Sequence, residues 1–186
     1  MTAAPLSAPE HPPLYRCALA SLAEPQTEAM PQGEEARWLS ELASESGRCD
    51  WNGWLHQPPA ADAALHRLAR HYALQPAECV AIALACAVET DPMAGRVLSW
   101  LQAPTGGARP MIGLLMSLCE RLGLPDGLSA LADGTARRIG LLQVDQDERR
   151  PLPEQALWVP LPIVLALRAA AGKSTRQPRA GRPLAS

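Results

Sequence analysis

The stretch "QPAECVAIALACAVETDP", residues 75–92, decides the fold of this chain. Pro76 suits the first turn of a helix, where its missing N–H is not needed, and Glu78 places an acid near the positive end of the helix dipole. The residues that follow are apolar on every side, which is typical of a buried helix. Asp91 is a good cap for a further helix. The sequence therefore predicts a central buried helix over 76–89.

Apolar residues recur at helical spacing on both sides of this stretch. Prolines at the starts and glycines at the ends mark the limits of several of these segments. The segment 49–59, "CDWNGWLHQPP", is instead predicted to be a turn-rich connection that two Trp side chains pin to the domain. Besides the central helix, the sequence predicts helices at 14–24, 34–47, 60–74, 92–102, 110–123 and 127–134.

The pattern changes after residue 136. "RRIGLLQV" (137–144) and "QALWVPL" (155–161) are rich in apolar and β-branched residues and predict two strands. The polar stretch "DQDERRPLPE" (145–154) would join them as the loop of a hairpin. A last helix is predicted over 162–171, and Gly172 is predicted to end it.

Helices in succession, followed by a hairpin, are the order of a winged helix. The predicted fold class is mainly α with a small β-hairpin; the helix at 110–122 takes the recognition-helix position, and the 145–154 loop is the wing. Segments rich in Pro, Gly and polar residues at both ends favour disorder. The predicted divisions are a disordered segment 1–13, a helical N-terminal extension 14–59, a winged-helix-like domain 60–172 and a basic disordered tail 173–186.

The triplet Gly172-Lys173-Ser174 looks like the second half of a phosphate-binding loop. Such a loop needs another Gly five positions before its second Gly, where this chain has Leu167, and it should follow a buried strand. Too few residues follow the triplet to supply the other parts of a nucleotide site. The sequence therefore predicts no nucleotide binding and no cofactor.

The net charge, the cysteines and the histidines give no indication of catalysis, metal binding or attraction to nucleic acid. A net charge of −2 gives no general attraction to nucleic acid or to anionic membranes. The five Cys are scattered and form no C-x-x-C pair, which is typical of free thiols in a reducing compartment. Cys79 and Cys86 share a buried helix face, whereas His66 and His71 lack the spacing of a helical metal pair. We expect no catalytic residue and no metal site.

Targeting signals are also missing from the sequence. The opening "MTAAPLSAPEHPP" lacks the basic start and apolar block of a secretion signal. The longest uncharged runs, near 155–167 and 79–88, are too short to span a membrane. Arg strongly outnumbers Lys, and Ala and Pro are abundant, as in proteins of GC-rich bacterial genomes. The expected location is the bacterial cytoplasm, with no membrane partner.

Several of these elements together resemble a known family. They are Leu74, Glu78, the turn Glu89–Pro92, the helix end Trp100–Gln102 and the pair Arg109–Pro110. In order and spacing they resemble the winged-helix-like domain N-terminal to the ATPase module in bacterial AAA-type ATPases. Many of those ATPases are encoded with phage-tail-like contractile injection systems. "ARRIGLLQV" and "PLPEQALWVPLPIVLAL" are similar to the family's wing strands and to its helix leading toward the ATPase.

The resemblance covers residues 60–172 and has two departures. Met111 stands where the family usually has Thr, and this sequence lacks the ATPase module. The chain is either the N-terminal portion of a longer ATPase or a free-standing relative, and both remain open. The resemblance implies a non-catalytic adaptor, a protein-interaction domain whose partner is an AAA-type ATPase module or a component of a contractile particle.

The alternative function is that of a winged-helix DNA-binding regulator. The helix at 110–122 argues against it, because this helix offers the major groove only Arg121, beside Glu120. The basic tail allows weak, non-specific nucleic-acid binding at most. The 145–154 loop mixes acids with Arg, and such runs are usually solvated surfaces. The residues predicted to bind a partner are Arg137, Arg138, Arg149, Arg150 and Trp158.

Overall fold

The computed structural model describes residues 12–23, 33–46, 50–145, 147 and 149–174. The chain is mainly helical with one small antiparallel sheet, which confirms the predicted fold class at this level. Short 3-10 turns occupy Ala60–Asp62 and Leu152–Glu154. In chain order the elements are α1 (Leu14–Ala20), α2 (Glu34–Ser46), α3 (Trp51–His56), α4 (Ala63–Tyr72), α5 (Pro76–Val88), α6 (Pro92–Leu101), α7 (Ile112–Leu122), α8 (Gly127–Asp133), α9 (Thr135–Arg138), β1 (Gln143–Val144), β2 (Leu157–Trp158) and α10 (Leu161–Ser174).

The helix α5 lies at the centre of the molecule, as the sequence predicts. It packs against α1, α4, α6, α7, α8 and β2, and nearly all of its side chains are buried. Many of these side chains are Ala, and short side chains at a helix contact let neighbouring helices approach closely. A core without Phe is therefore built from larger aliphatic side chains that surround a slim central helix.

The N-terminal helices belong to the same hydrophobic core. α1 packs against both α2 and α5, and Leu14, Leu19 and Leu42 are fully buried. On the surface, Arg96 of α6 holds α2 through ion pairs with Glu34 (2.8 Å) and Glu35 (2.6 Å). The core is thus continuous from α1 to α10, while a boundary between extension and domain near residue 60 stays a prediction.

The sheet has the strand β2 in its middle. On one edge β2 pairs antiparallel with β1, with Gln143 opposite Trp158. On the other edge Met111 forms an antiparallel bridge with Ala156. The neighbouring N–H of Leu157 donates to the carbonyl of Pro110 (2.8 Å). The chain just before α7 therefore acts as a third, very short strand.

The predicted strands were wrong over most of their length. Residues 137 and 138, at the start of the first predicted strand, belong instead to the helix α9. The Glu78 carboxylate accepts the N–H of Ala136 at the start of α9, and the Ala136 carbonyl accepts the N–H groups of Leu141 and Leu142 at its end. These contacts override the strand preference of the apolar residues. In the second predicted strand, 155–161, only 157–158 is a strand, because a 3-10 turn ends at Glu154 just before it and α10 already begins at Leu161.

Three smaller expectations also need correction. The connection 49–59 contains the helix α3, although two Trp side chains do pin it. Gly172 does not end the last helix, since α10 continues to Ser174. Two helices, α8 and α9, lie between α7 and β1, so α7 is not the helix that leads into the sheet.

The predicted disordered ends fall largely outside the described residues. Of the segment 1–13 only Pro12 and Pro13 are described, and of the tail 173–186 only 173–174, which belong to α10. Within the described ranges, no helix combines the length and hydropathy that crossing a bilayer would require.

Candidate partner-binding surface

The helix α10 carries the two leucine side chains with the largest exposed fraction among the described residues. Its start is set by Pro160, whose carbonyl accepts the N–H groups of Ile163 (2.9 Å) and Val164 (3.2 Å). Val164 is buried on the side that packs against α4 and the 60–62 turn. On another side of the helix Leu161 and Leu165 are 59% and 56% exposed. Apart from Arg168, the stretch from Leu161 to Ala171 has only apolar side chains; such a helix is normally buried on all sides, and α10 is covered on one side only.

A groove of about 660 Å³ runs between α4 and α10. Its floor is formed by apolar side chains, among them Leu68, Leu141 and Leu167. Arg67 and His71 stand on its α4 wall and are exposed to solvent. This α4–α10 groove and the adjacent leucines form one apolar surface around α10, because Pro162 and Ala166 line the groove next to Leu161 and Leu165 on the helix.

A buried carboxylate fixes the position of α4. Oδ2 of Asp62 accepts the N–H of Leu14 (2.7 Å) and the indole N–H of Trp54 (2.9 Å). Trp51 stacks on Trp54 at 4.9 Å, and His66 meets the edge of the same ring at 5.3 Å. Burial raises the pKa of the Asp62 carboxyl, and the two hydrogen bonds oppose this shift. The start of α1 and the 50–62 connection are thus held to the base of α4.

A smaller cavity of about 200 Å³ lies between α1, α4, α5 and α10. Pro13 and Tyr15 line it from the start of α1, and Val164 and Ala171 line it from α10. The Tyr15 hydroxyl donates to Oδ2 of Asp91 (3.2 Å), and burial together with that carboxylate raises the Tyr15 pKa. The first and last helices therefore meet at this cavity.

The predicted cap at Asp91 is confirmed in its geometry. Its Oδ1 accepts the backbone N–H groups of Met93 (2.9 Å) and Ala94 (3.4 Å) at the start of α6. The capping carboxylate also accepts the Tyr15 hydroxyl, so it joins α6 to α1.

The predicted partner-binding residues lie in three places. Arg137 and Arg138 are on α9, where Arg137 donates to the carbonyl of Ala132 and Arg138 donates to the Thr135 hydroxyl (3.3 Å). Arg137 is half-buried and Arg138 is exposed. The guanidinium of Arg137 is therefore partly engaged within the domain.

The other three predicted residues lie in and beside the loop between β1 and β2. Arg149 is exposed, and its backbone N–H donates to Asp147 (3.0 Å). Arg150 forms an ion pair with the same Asp147 (3.6 Å), in keeping with a solvated loop of mixed charge. Trp158 lies on β2 beneath Arg109, whose guanidinium carbon is 5.5 Å from the ring centroid. Among the described residues, no hydrogen bond or ion pair joins the α9 arginines to those of the loop, and a shared partner stays a prediction.

Gln102 is a positioning residue whose role the sequence does not reveal. Its buried side chain donates to the carbonyls of Gly107 (2.8 Å) and Arg109 (2.9 Å) and accepts the N–H of Met111 (2.7 Å). These bonds shape the loop so that Arg109 reaches Trp158 and Met111 reaches β2. A single Gln after an apolar helix carries no local signal of this function, because its three partners are in the loop.

The exposed leucines of α10 were also missed. The signal that could have found them is the lack of a polar face in the stretch 161–172, "LPIVLALRAAAG". An apolar helix near the end of the folded region, with few elements left to cover it, indicates a surface that another molecule covers.

The thiols of the core are poor nucleophiles. Burial, with a smaller contribution from Glu78, raises the pKa of Cys79 to about 12. Burial likewise raises the pKa of Cys86 to about 12 and that of Cys119 to about 11. The thiolate is the reactive form, so these three residues act as core side chains at neutral pH.

We expect Cys79 and Cys119 to resist alkylation in the folded protein. At pH 8 a thiol with a pKa near 12 is only about 10⁻⁴ thiolate, and both side chains are buried. Treatment with iodoacetamide for about an hour, followed by peptide mass spectrometry, should leave both unmodified, while the same treatment in urea should modify them. Equal labelling in the folded and unfolded states would contradict the described core.

No protein-family model, curated protein or solved structure matches this chain. The Gly172–Ser174 triplet lies in the last turn of α10, and helical backbone there does not form the loop that cradles phosphates.

Proposed function

We propose that this chain is a non-catalytic protein-interaction domain that binds its partner through α10 and the α4–α10 groove. The observation that carries the proposal is the exposure of Leu161 and Leu165 on a helix whose first eleven residues are apolar except for Arg168. Burying one such side chain completely contributes about 1.5–3 kcal/mol. Contiguous exposed apolar surface of this kind is typical of an interaction site.

We further propose a winged-helix-like arrangement, with a corrected assignment of its helices. The order of Met111, α7, α8–α9, β1, loop and β2, with β2 in the middle of the sheet, supports it. In this arrangement α8–α9 takes the recognition position that the sequence assigned to α7. The exposed side of α8–α9 presents Leu128 and Ile139 as well as Arg138, which suits contact with protein.

The resemblance to the N-terminal domains of AAA-type ATPases gives the proposed class of partner. In that family the helix at the position of α10 leads toward the ATPase module, so an exposed apolar face on α10 suits contact with such a module. The resemblance gives a component of a contractile particle as the alternative partner.

DNA binding is the competing function, and Arg137 and Arg138 on α9 are what favour it. A helix that reads bases needs free donors along its exposed side. Here Arg137 already donates to the Ala132 carbonyl, and the acids Asp126 and Asp133 flank α8. Cations that contact only phosphate would give binding that depends on salt and is indifferent to sequence.

A photo-crosslinking amino acid at Leu165 tests the proposed function. In cells that naturally produce the chain, irradiation should give one or a few discrete protein adducts, identified by mass spectrometry. The same amino acid at Glu41, an exposed residue of α2, is the matched control. It should give no such adduct, because α2 packs against α1 and α6 and is not part of the surface around α10.

Titration of the purified chain with DNA tests the competing function, DNA binding. We expect only weak binding that disappears when Arg176, Arg179 and Arg182 are replaced by Ala. Sequence-selective binding near 10⁻⁸ M at physiological salt, retained in that variant, would make the protein a DNA-binding regulator.

A further inference from the structure

The apolar surface around α10 is bordered by cations that have no described counter-charge. Arg67 and Arg70 are exposed on α4, and Arg168 is exposed on α10, one helical turn from Leu165. Neither α4 nor α10 contains an acidic residue. Within the described ranges, none of these three arginines takes part in an ion pair, whereas Arg16, Arg96, Arg109 and Arg150 all do.

The geometry points to a partner segment with apolar side chains on one face and Asp or Glu at its edges. We propose that such a segment, an amphipathic helix of another protein, lies in the α4–α10 groove and covers Leu161 and Leu165. This inference rests on the proposed protein-interaction function and adds the chemistry of the partner. Apolar side chains would fill the groove, as in other helix-in-groove complexes, and acids at the edge would meet Arg67, which lines the groove, and its neighbour Arg70 on α4.

Charge also argues against the chain itself as the occupant. A symmetric dimer through this face would bring the arginines of two copies together, and like charges at an interface are unfavourable. The segment 175–186 contains Arg176, Arg179 and Arg182 and no acid, so it would meet the same repulsion. A small anionic amphiphile could fill the groove but would leave the exposed leucines beside it uncovered.

Two synthetic peptides test the proposal on the full chain. Both are fluorescein-labelled amphipathic helices with the same Leu and Ala pattern; one carries Glu at the flanking positions and the other carries Lys. By fluorescence anisotropy at about 50 mM NaCl, we expect the Glu peptide to bind at least about tenfold more tightly, and we expect salt to weaken its binding.

Variants of the chain locate the binding surface. Arg67→Glu and Leu165→Lys should each weaken binding of the Glu peptide at least about fivefold. Arg37→Glu makes the same change of charge as Arg67→Glu but lies on the exposed side of α2, so it should leave binding unchanged. Circular dichroism of each variant checks that it is folded.

Several results would overturn the proposal. They are equal or tighter binding of the Lys peptide, weakening by Arg37→Glu but not by Arg67→Glu, and self-association in sedimentation that Leu165→Lys abolishes. If neither peptide binds although Leu165 crosslinks to a protein, the partner chemistry is wrong and the interaction function stands. If the crosslink also fails, the proposed function itself is wrong.

Discussion

Replacing Gly134 by Ala is expected to lower the free energy of unfolding by about 3–5 kcal/mol, a large part of the stability of a small domain. The backbone at Gly134 is ordinary extended backbone (φ −70°, ψ 174°), so the requirement for Gly is one of space. A Cβ there would overlap the carbonyl oxygen of Ala130 and Oε1 of Glu78. A backbone carbonyl and a buried carboxylate cannot both move aside without breaking the contacts that they make.

Glu78 explains why the space is occupied. The side chain is fully buried, and its two oxygens accept the N–H of Gln75 (2.7 Å) and the N–H of Ala136 (2.6 Å). One carboxylate therefore serves the start of α5 and the start of α9. Glu78→Ala would leave the buried N–H of Ala136 and the part-buried N–H of Gln75 without their acceptor, and an unsatisfied buried donor costs about 1–3 kcal/mol. We expect a loss similar to that of Gly134→Ala.

Urea unfolding followed by circular dichroism measures both effects. Gly107→Ala is the matched control, because a Cβ at Gly107 meets no atom within 4 Å, and its change should stay within about 0.5 kcal/mol. The double variant should be less destabilised than the sum of the single variants, since each disturbs the same contact. A Gly134→Ala protein as stable as the control would show that Glu78 does not occupy this position.

Asp62→Ala is expected to cost about 2–4 kcal/mol, while Asp62→Asn should cost much less. Alanine leaves the buried N–H of Leu14 and the indole N–H of Trp54 without an acceptor. Both donors use the same oxygen of Asp62, so the single carbonyl oxygen of Asn can replace it. Thermal unfolding of the two variants at one pH compares them. Equal losses for Ala and Asn would mean that the two hydrogen bonds do not hold α1 and α3.

The same residue gives a pH dependence with a definite sign. Because burial raises the pKa of Asp62 above its ordinary 3.8, the folded protein holds this proton more tightly than the unfolded chain. The resulting stability is fully present below the ordinary pKa, decreases as the pH rises through the raised pKa, and is then lost. Asp62→Asn has no such decrease. From about pH 3.5 to pH 7, the stability of Asp62→Asn should therefore rise relative to the native protein, and a relative fall would contradict the prediction.

The parts of the fold that local chemistry determines were predictable from the sequence. Pro76 and Asp91 mark helix starts through their own backbone and side chain, and the apolar run between them requires burial wherever the chain folds. The helix α9 was not predictable in this way. Its start depends on Glu78, a residue far away in sequence, and its apolar neighbours alone favour a strand.

The candidate surface was predictable only in part. Arg137, Arg138, Arg149 and Arg150 could be found as charges, but their distribution over α9 and a separate loop depends on tertiary packing. The exposure of Leu165 depends on which elements cover α10; the missing polar face of 161–172 indicates that one side needs a cover but does not specify which side. Sequence reasoning identified α10 as a helix and left open which of its sides faces solvent.

Pro13 and Ala171 line the same small cavity, and this affects how the domain is tethered through its two ends. Because α1 begins and α10 ends beside the same small space, the chain enters and leaves the domain at one pole. A pull applied through the start of α1 and the end of α10 would therefore act first on the elements that line this cavity.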